Sequence, residues 1–256
     1  MTIYVLSAVI AVALLLLGEN IKPNDTKGEY VKRGYNWNNV LIVSSVSGLA
    51  MGLVSAWLTF QADLPSELNP HFLPFVTAIV GYITAQSILT DFRIFLINRN
   101  ILRAAYILSY IVSILNIATS EWLRPNWLTL SMFTIVLLVL FIWAPIGASD
   151  IRMMAVGIPY SITINGMDGI FLLVITLIIV AMIMAIHRLK KGVKEYKKYK
   201  ANNKELYENS DKFIFVMSFY KVIKREFDTN EKHAVAVGPY MLLPFLIYFI
   251  IYPVLI

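Results

Sequence analysis

The chain has no cysteine and only three histidines in 256 residues. The first absence removes disulfides, thiolate nucleophiles and Cys-ligated zinc or iron–sulfur centres together. The histidines, His71, His187 and His233, are far apart and each lies near the end of an apolar run, so they form no His-Glu-x-x-His and no evident ligand set. A metalloprotease built on that helical motif is excluded. No Gly-x-Ser-x-Gly supports a serine hydrolase, and no Walker-type or dinucleotide glycine loop supports a nucleotide enzyme. No cofactor and no metal is expected. Charge is scarce as well: Asp, Glu, Lys and Arg make up 15% of the chain against 58% hydrophobic residues. That much apolar surface does not fit inside one soluble core, so the composition implies a polytopic, all-α membrane bundle.

A crossing needs roughly 17 to 25 predominantly apolar residues. Candidate spans lie at about 2 to 18, 39 to 60, 72 to 90, 100 to 119, 126 to 146, 169 to 187 and 234 to 255, with a shorter apolar stretch from Met153 to Ile164. Charge decides whether the short stretch crosses. Lys and Arg occur at 22, 27, 32 and 33, at 93, 99 and 103, at 124, at 152, and thirteen times from Arg188 to Lys232. With the N-terminus outside and the short stretch crossing, all of them except Arg124 fall on the cytoplasmic side, while Asp63, Glu67, Glu121 and Asp168 fall outside. About eight transmembrane helices with both termini outside are therefore expected, in the cytoplasmic membrane of a cell. The first span has no basic n-region and no evident cleavage site, so it is expected to stay as an anchor.

The organisation expected is N-terminal membrane helices with a short cytoplasmic loop over 1–71, a membrane core over 72–187, a basic cytoplasmic and interfacial segment over 188–233, and a last crossing over 234–256. The loop from Glu19 to Asn38 is polar and mixed in charge, and reads as solvated. In the basic segment, Leu189 to Lys200 reads as a helical extension against anionic head groups, and Phe213 to Phe227 as an interfacial amphipathic helix. Its charge is explained by topology and a lipid bilayer partner, so nucleic acid is not expected as one. Gly48 and Gly52 have the GxxxG spacing and, with Ser44, Ser45, Ser47 and Ser55, form a small-residue stripe that admits a neighbouring helix.

Two acids remain. Asp91 closes one apolar run in Thr90-Asp91-Phe92-Arg93, and Asp150 closes another in Gly147-Ala148-Ser149-Asp150-Ile151-Arg152. In a topology drawn from Lys and Arg alone, the third and fifth crossings both end on the cytoplasmic side, which brings both acids to one membrane face. Two carboxylates within a few ångströms do not both ionise readily, so one keeps a proton and the pair serves as general base and general acid toward water. The other reading is that each is a span-end charge paired with its neighbouring arginine.

Three ordered places, spanning roughly residues 72 to 256, resemble the prepilin peptidase family of GxGD aspartic membrane proteases, which includes the preflagellin peptidases. Asp91 through Asn100 resembles the first catalytic motif of that family, an Asp followed by a basic residue and a turn into the next helix. Gly147-Ala148-Ser149-Asp150-Ile151-Arg152 resembles the GxGD-x-Lys motif, and Ala236-Val237-Gly238-Pro239-Tyr240 resembles a Gly-Pro-aromatic element that opens the last span. Ser149 stands where the family has its second glycine, Asn98 where a proline is common, and Arg152 where a lysine is usual. The resemblance implies an aspartic endopeptidase with Asp91 and Asp150 catalytic and Gly147, Ser149, Arg152, Arg93 and Asn98 supporting the site. It further implies a prepilin-like protein substrate, cut where its short leader meets a hydrophobic helix. The methyltransferase activity of many bacterial members is not carried over, because no cysteine-rich loop is present, and the chain is in that respect more similar to the archaeal branch. An inactive relative serving pilus or competence assembly, and a proton- or cation-coupled transporter, are the other function classes the acids allow.

Overall fold

A computed structural model describes residues 1–19, 25–62, 71–94, 98–121, 123–143, 148–202 and 238–255, with backbone alone at several of them, among these Phe92, Ile94, 140–143 and 148–151. Among the described residues there are nine helices and no strand. They are α1 (Thr2–Glu19), α2 (Asp25–Lys32), α3 (Trp37–Gln61), α4 (Phe72–Ile94), α5 (Arg99–Thr119), α6 (Asn126–Trp143), α7 (Ala148–Ile164), α8 (Gly166–Asn202) and α9 (Gly238–Leu255). Five of them, α1, α3, α4, α5 and α8, are long and apolar enough to cross a membrane. The other expected spans coincide with the shorter helices α6, α7 and α9. The chain thus has the all-helical, apolar build of a membrane protein.

Two compact units are present, one formed by Met1–Leu177 with Gly238–Ile256 and one by Ile178–Val237. Within the first, α4 is the centre: it packs against α1, α3, α5, α7 and α9. The N-terminal helices and the expected core as far as Leu177 therefore share one unit, and residues 178–187 fall in the other. In the second, the described part is the end of α8, apolar as far as Ile186 and then basic at Lys190, Lys191, Lys194 and Lys197. The expected interfacial helix from Phe213 to Phe227 lies outside the described residues.

Side chains of minimal size set the helix spacing, as they must where lipid leaves no hydrophobic gain for helix association. Gly48 faces Val12, Tyr82 and the Ala78 carbonyl, while Gly52 lies between Ala8 and Ala78. The small-residue stripe on α3 is thus the seam against both α1 and α4. Gly18 of α1 meets Ala104 of α5, and Gly157 of α7 meets the Phe245 ring of α9.

These contacts fix direction. Glu19 at the end of α1 accepts from the Trp37 indole at the start of α3, and Tyr4, Phe60 and His71 meet at the other end. Gly157 against Phe245 and Tyr160 against Phe249 make α7 and α9 parallel. Asn126 at the start of α6 donates to the Thr163 carbonyl near the end of α7, beside Gly166 at the start of α8. Arg152 is close enough to Arg99 and Arg103 to interact with both, so α5 and α7 start together. The ends of α1 and α4 and the starts of α3, α5, α7 and α9 consequently share one end of the bundle. Lys27, Lys32, Arg33, Arg93, Arg99, Arg103 and Arg152 lie there, and Arg124, beside Glu121, lies at the other.

The segment expected to be a solvated loop is more structured than its composition suggested. Its helix α2 ends in a Schellman cap: Gly34, at φ +82°, donates to the Val31 carbonyl, and Tyr35 donates to the Tyr30 carbonyl. Glycine reaches that left-handed conformation without a Cβ penalty. The reversal brings the Tyr35 ring to 4.9 Å from that of Tyr30. Tyr30, Trp37 and Val40 then form a buried cluster that also takes in Leu41 and Leu89. Helix α2 is thereby docked on the end of α4. The exposed Lys32 and Glu29 pair adds little to this: the ammonium holds that carboxyl below its usual range, but water screens the attraction.

Candidate active site

Asp91 sits in the last turn of α4, which continues through Ile94, and is only 6% exposed. Residues two apart on a helix do not face each other, so Arg93 leaves on the side away from Asp91. Its guanidinium donates to the Tyr30 hydroxyl at 2.6 Å and lies 4.9 Å from the centre of the Tyr35 ring. Arg33 in turn donates to the Arg93 carbonyl at 3.3 Å. Arg93 therefore ties α4 to α2. Its Tyr30 and Tyr35 partners were missed in the sequence, although Gly34 following Val31-Lys32-Arg33, between two tyrosines, is the signature of such a cap.

Asn98 is the N-cap of α5. Its Oδ1 accepts from the backbone amides of Asn100 at 3.1 Å and Ile101 at 3.5 Å, satisfying groups that a helix start leaves open. The residue is fully buried, and its Nδ2 has no hydrogen-bond partner among the described residues. We expect Asn98→Ala to lower stability by about 1 kcal/mol, the value of a lost cap. Asn98→Asp, which keeps the capping oxygen, should recover most of it. Thermal unfolding of the two variants in detergent checks this.

Asp150 does not close the fifth span, as the sequence suggested; it is the third residue of α7. The described part of α6 stops at Trp143. An acid at the start of a helix is favoured by the helix dipole, by up to about 1 kcal/mol. Ser149 is helical too, so the backbone there does not call on glycine's freedom at positive φ. Gly147 and the side chains of Ser149 and Asp150 lie outside the described residues. Arg152 is half-buried and interacts with Arg99, Arg103 and Tyr106 at the start of α5.

Asp91, Asn98, Arg152, the α7 turn that carries Asp150 and the Gly238 start of α9 therefore share one end of the bundle. Arg93 shares that end but belongs to the α2 contact. Among the described residues no three His, Asp or Glu side chains are arranged to hold a metal ion. No protein-family model, curated protein or solved structure matches the chain closely enough to show kinship.

Proposed function

We propose that this protein is an aspartic endopeptidase of the cell membrane, cleaving the leader of a prepilin-like protein at the cytoplasmic face. Asp91 and Asp150 are its catalytic pair. In this reading α1, α3, α4, α5, α6, α7, α8 and α9 make eight crossings, both termini are outside, and the end of the bundle holding Asp91 faces the cytoplasm. The observation that carries the proposal is the arrival of Asp91 and of the Asp150 turn at one end of the bundle, the end rich in Lys and Arg. Cation-rich ends of membrane bundles face the cytoplasm.

The chemistry follows from a pair sharing one proton. The ionised carboxylate takes a proton from a water whose oxygen attacks the scissile carbonyl carbon. The protonated acid gives its proton to the carbonyl oxygen, forming a gem-diol. Collapse of the gem-diol breaks the C–N bond, with a proton passing to the leaving nitrogen. The substrate helix lies among the crossings while its leader reaches the pair from water.

Two features of this chain fit the role. The helical backbone at Ser149 accepts a serine as readily as a glycine, so the altered motif is compatible with an intact turn. Both acids lie near helix ends, where a pair meets water, whereas transport acids are usually placed near mid-span. The test is co-expression of the chain or its Asp91→Asn and Asp150→Asn variants with prepilin-like proteins, followed by detection of the mature product. Cleavage that persists in either variant refutes the role given to that acid.

A further inference from the structure

Ser87 lies four residues before Asp91 and so occupies the same face of α4, one turn deeper, with the two Cβ atoms about 5 to 6 Å apart by helix geometry. Its side chain is fully buried, and its hydroxyl has no hydrogen-bond partner among the described residues. The threonines of α4 behave differently, whereas the Tyr82 hydroxyl, further from Asp91, is also buried without a partner among the described residues. Thr77 donates to the Leu73 carbonyl, Thr84 to that of Val80 and Thr90 to that of Gln86, each four residues back. The same bond to Ile83 is open to Ser87 and is not made. A buried hydroxyl without an acceptor is costly in a low-dielectric interior; Ser87 is one of several such groups here, and its place one turn from Asp91 sets it apart.

We infer that Ser87 is a further substrate-binding residue of the Asp91 site, its hydroxyl donating to a backbone carbonyl of the segment being cut. This rests on the peptidase reading. A membrane helix entering a protease must unwind at the scissile bond, which frees carbonyl acceptors where little water is available. Donors that are empty before the substrate arrives are what such carbonyls require. The Asn98 amide, buried and without a partner among the described residues, is a second donor at the same end of the bundle.

Ser109 on α5 provides the matched comparison, being equally buried and likewise without a partner among the described residues, but deeper in the bundle. The experiment compares Ser87→Ala, Ser109→Ala and Asp91→Asn in the full chain, purified in detergent and given a substrate with a short leader and a hydrophobic helix. Removing a stranded hydroxyl leaves the thermal midpoint unchanged or raised, so both alanine variants should stay folded. Ser87→Ala should lower kcat/KM about tenfold, mainly through KM, as the loss of one substrate hydrogen bond predicts. Ser109→Ala should cleave like the parent. Full activity in Ser87→Ala overturns the inference, as does a loss of activity that only follows a lowered midpoint. A dead Asp91→Asn beside a fully active Ser87→Ala sinks this inference alone, whereas an Asp91→Asn that still cleaves sinks the peptidase reading with it.

Discussion

Asp91→Asn and Asp150→Asn should each abolish leader cleavage while leaving a folded protein in the membrane. Asparagine keeps the size of the side chain and can still hydrogen bond, but neither takes a proton from water nor gives one to a carbonyl oxygen. A single positioned acid or base contributes about 100- to 10,000-fold to a rate. Members of one catalytic unit are also not additive, so the double variant should be no worse than either single variant. Quantified processing of a co-expressed substrate, with insertion and thermal midpoint measured alongside, reads the effect. If one variant loses activity and the other does not, that result favours a single functional acid over a pair.

Gly157→Leu should produce the largest loss of stability. A Cβ at Gly157 would stand 2.5 Å from Phe245 Cγ and 2.8 Å from its Cδ1, so the obstacle is the root of a ring and not the tip of a flexible chain. Phe245 is itself fully buried. Overpacking of this kind typically costs about 1 to 3 kcal/mol, a sizeable share of a marginal stability. Unfolding in mixed micelles should show a clear drop for Gly157→Leu and partial recovery when Phe245→Ala is added, because the two positions are in direct contact. A Gly157→Leu variant as stable as the parent would mean that α7 and α9 are not held at this spacing. Since α9 and the Asp150 turn both begin at the Asp91 end, the same variant should also lose cleavage.

Much of this arrangement was legible in the sequence because the strongest signals were periodic or charged. Apolar runs located the helices, and lysine and arginine placed Asp91 and Asp150 at one end before any contact was known. Gly48 and Gly52 marked the seam of α3 through their spacing alone. What escaped was local and polar. Helix α2 has a mean composition that reads as solvated loop, and only the Gly34 reversal, which brings the Tyr35 ring against Tyr30, shows why Tyr30 is buried. Arg93 looked like a partner of Asp91 because it is near in sequence. Helical periodicity sends the two to different faces and gives the arginine to Tyr30 instead. Asp150 looked like the end of a span because hydropathy does not mark which of two adjoining helices a residue joins; it falls within α7 (Ala148–Ile164). Ser87 carried no sequence signal at all. Its interest comes from a bond it does not make.

The convergence of Asp91 and Asp150 is the central claim, and a chain without cysteine offers a direct test of it. Asp91→Cys and Asp150→Cys, introduced together, provide the only two thiols in the molecule. Disulfide formation requires Cβ atoms about 3.5 to 4.5 Å apart, and the shortest bifunctional thiol reagents extend that reach only slightly. With Asp91 and Asp150 forming a pair, mild oxidant or such a reagent should join the two positions within one chain, and the two fragments should stay linked after proteolysis between α4 and α7. A control pairing Asp91→Cys with Glu121→Cys, at the far end of the bundle, should not join. If both thiols of the Asp91→Cys/Asp150→Cys protein are reactive yet never link, the acids do not meet and the catalytic pair does not exist.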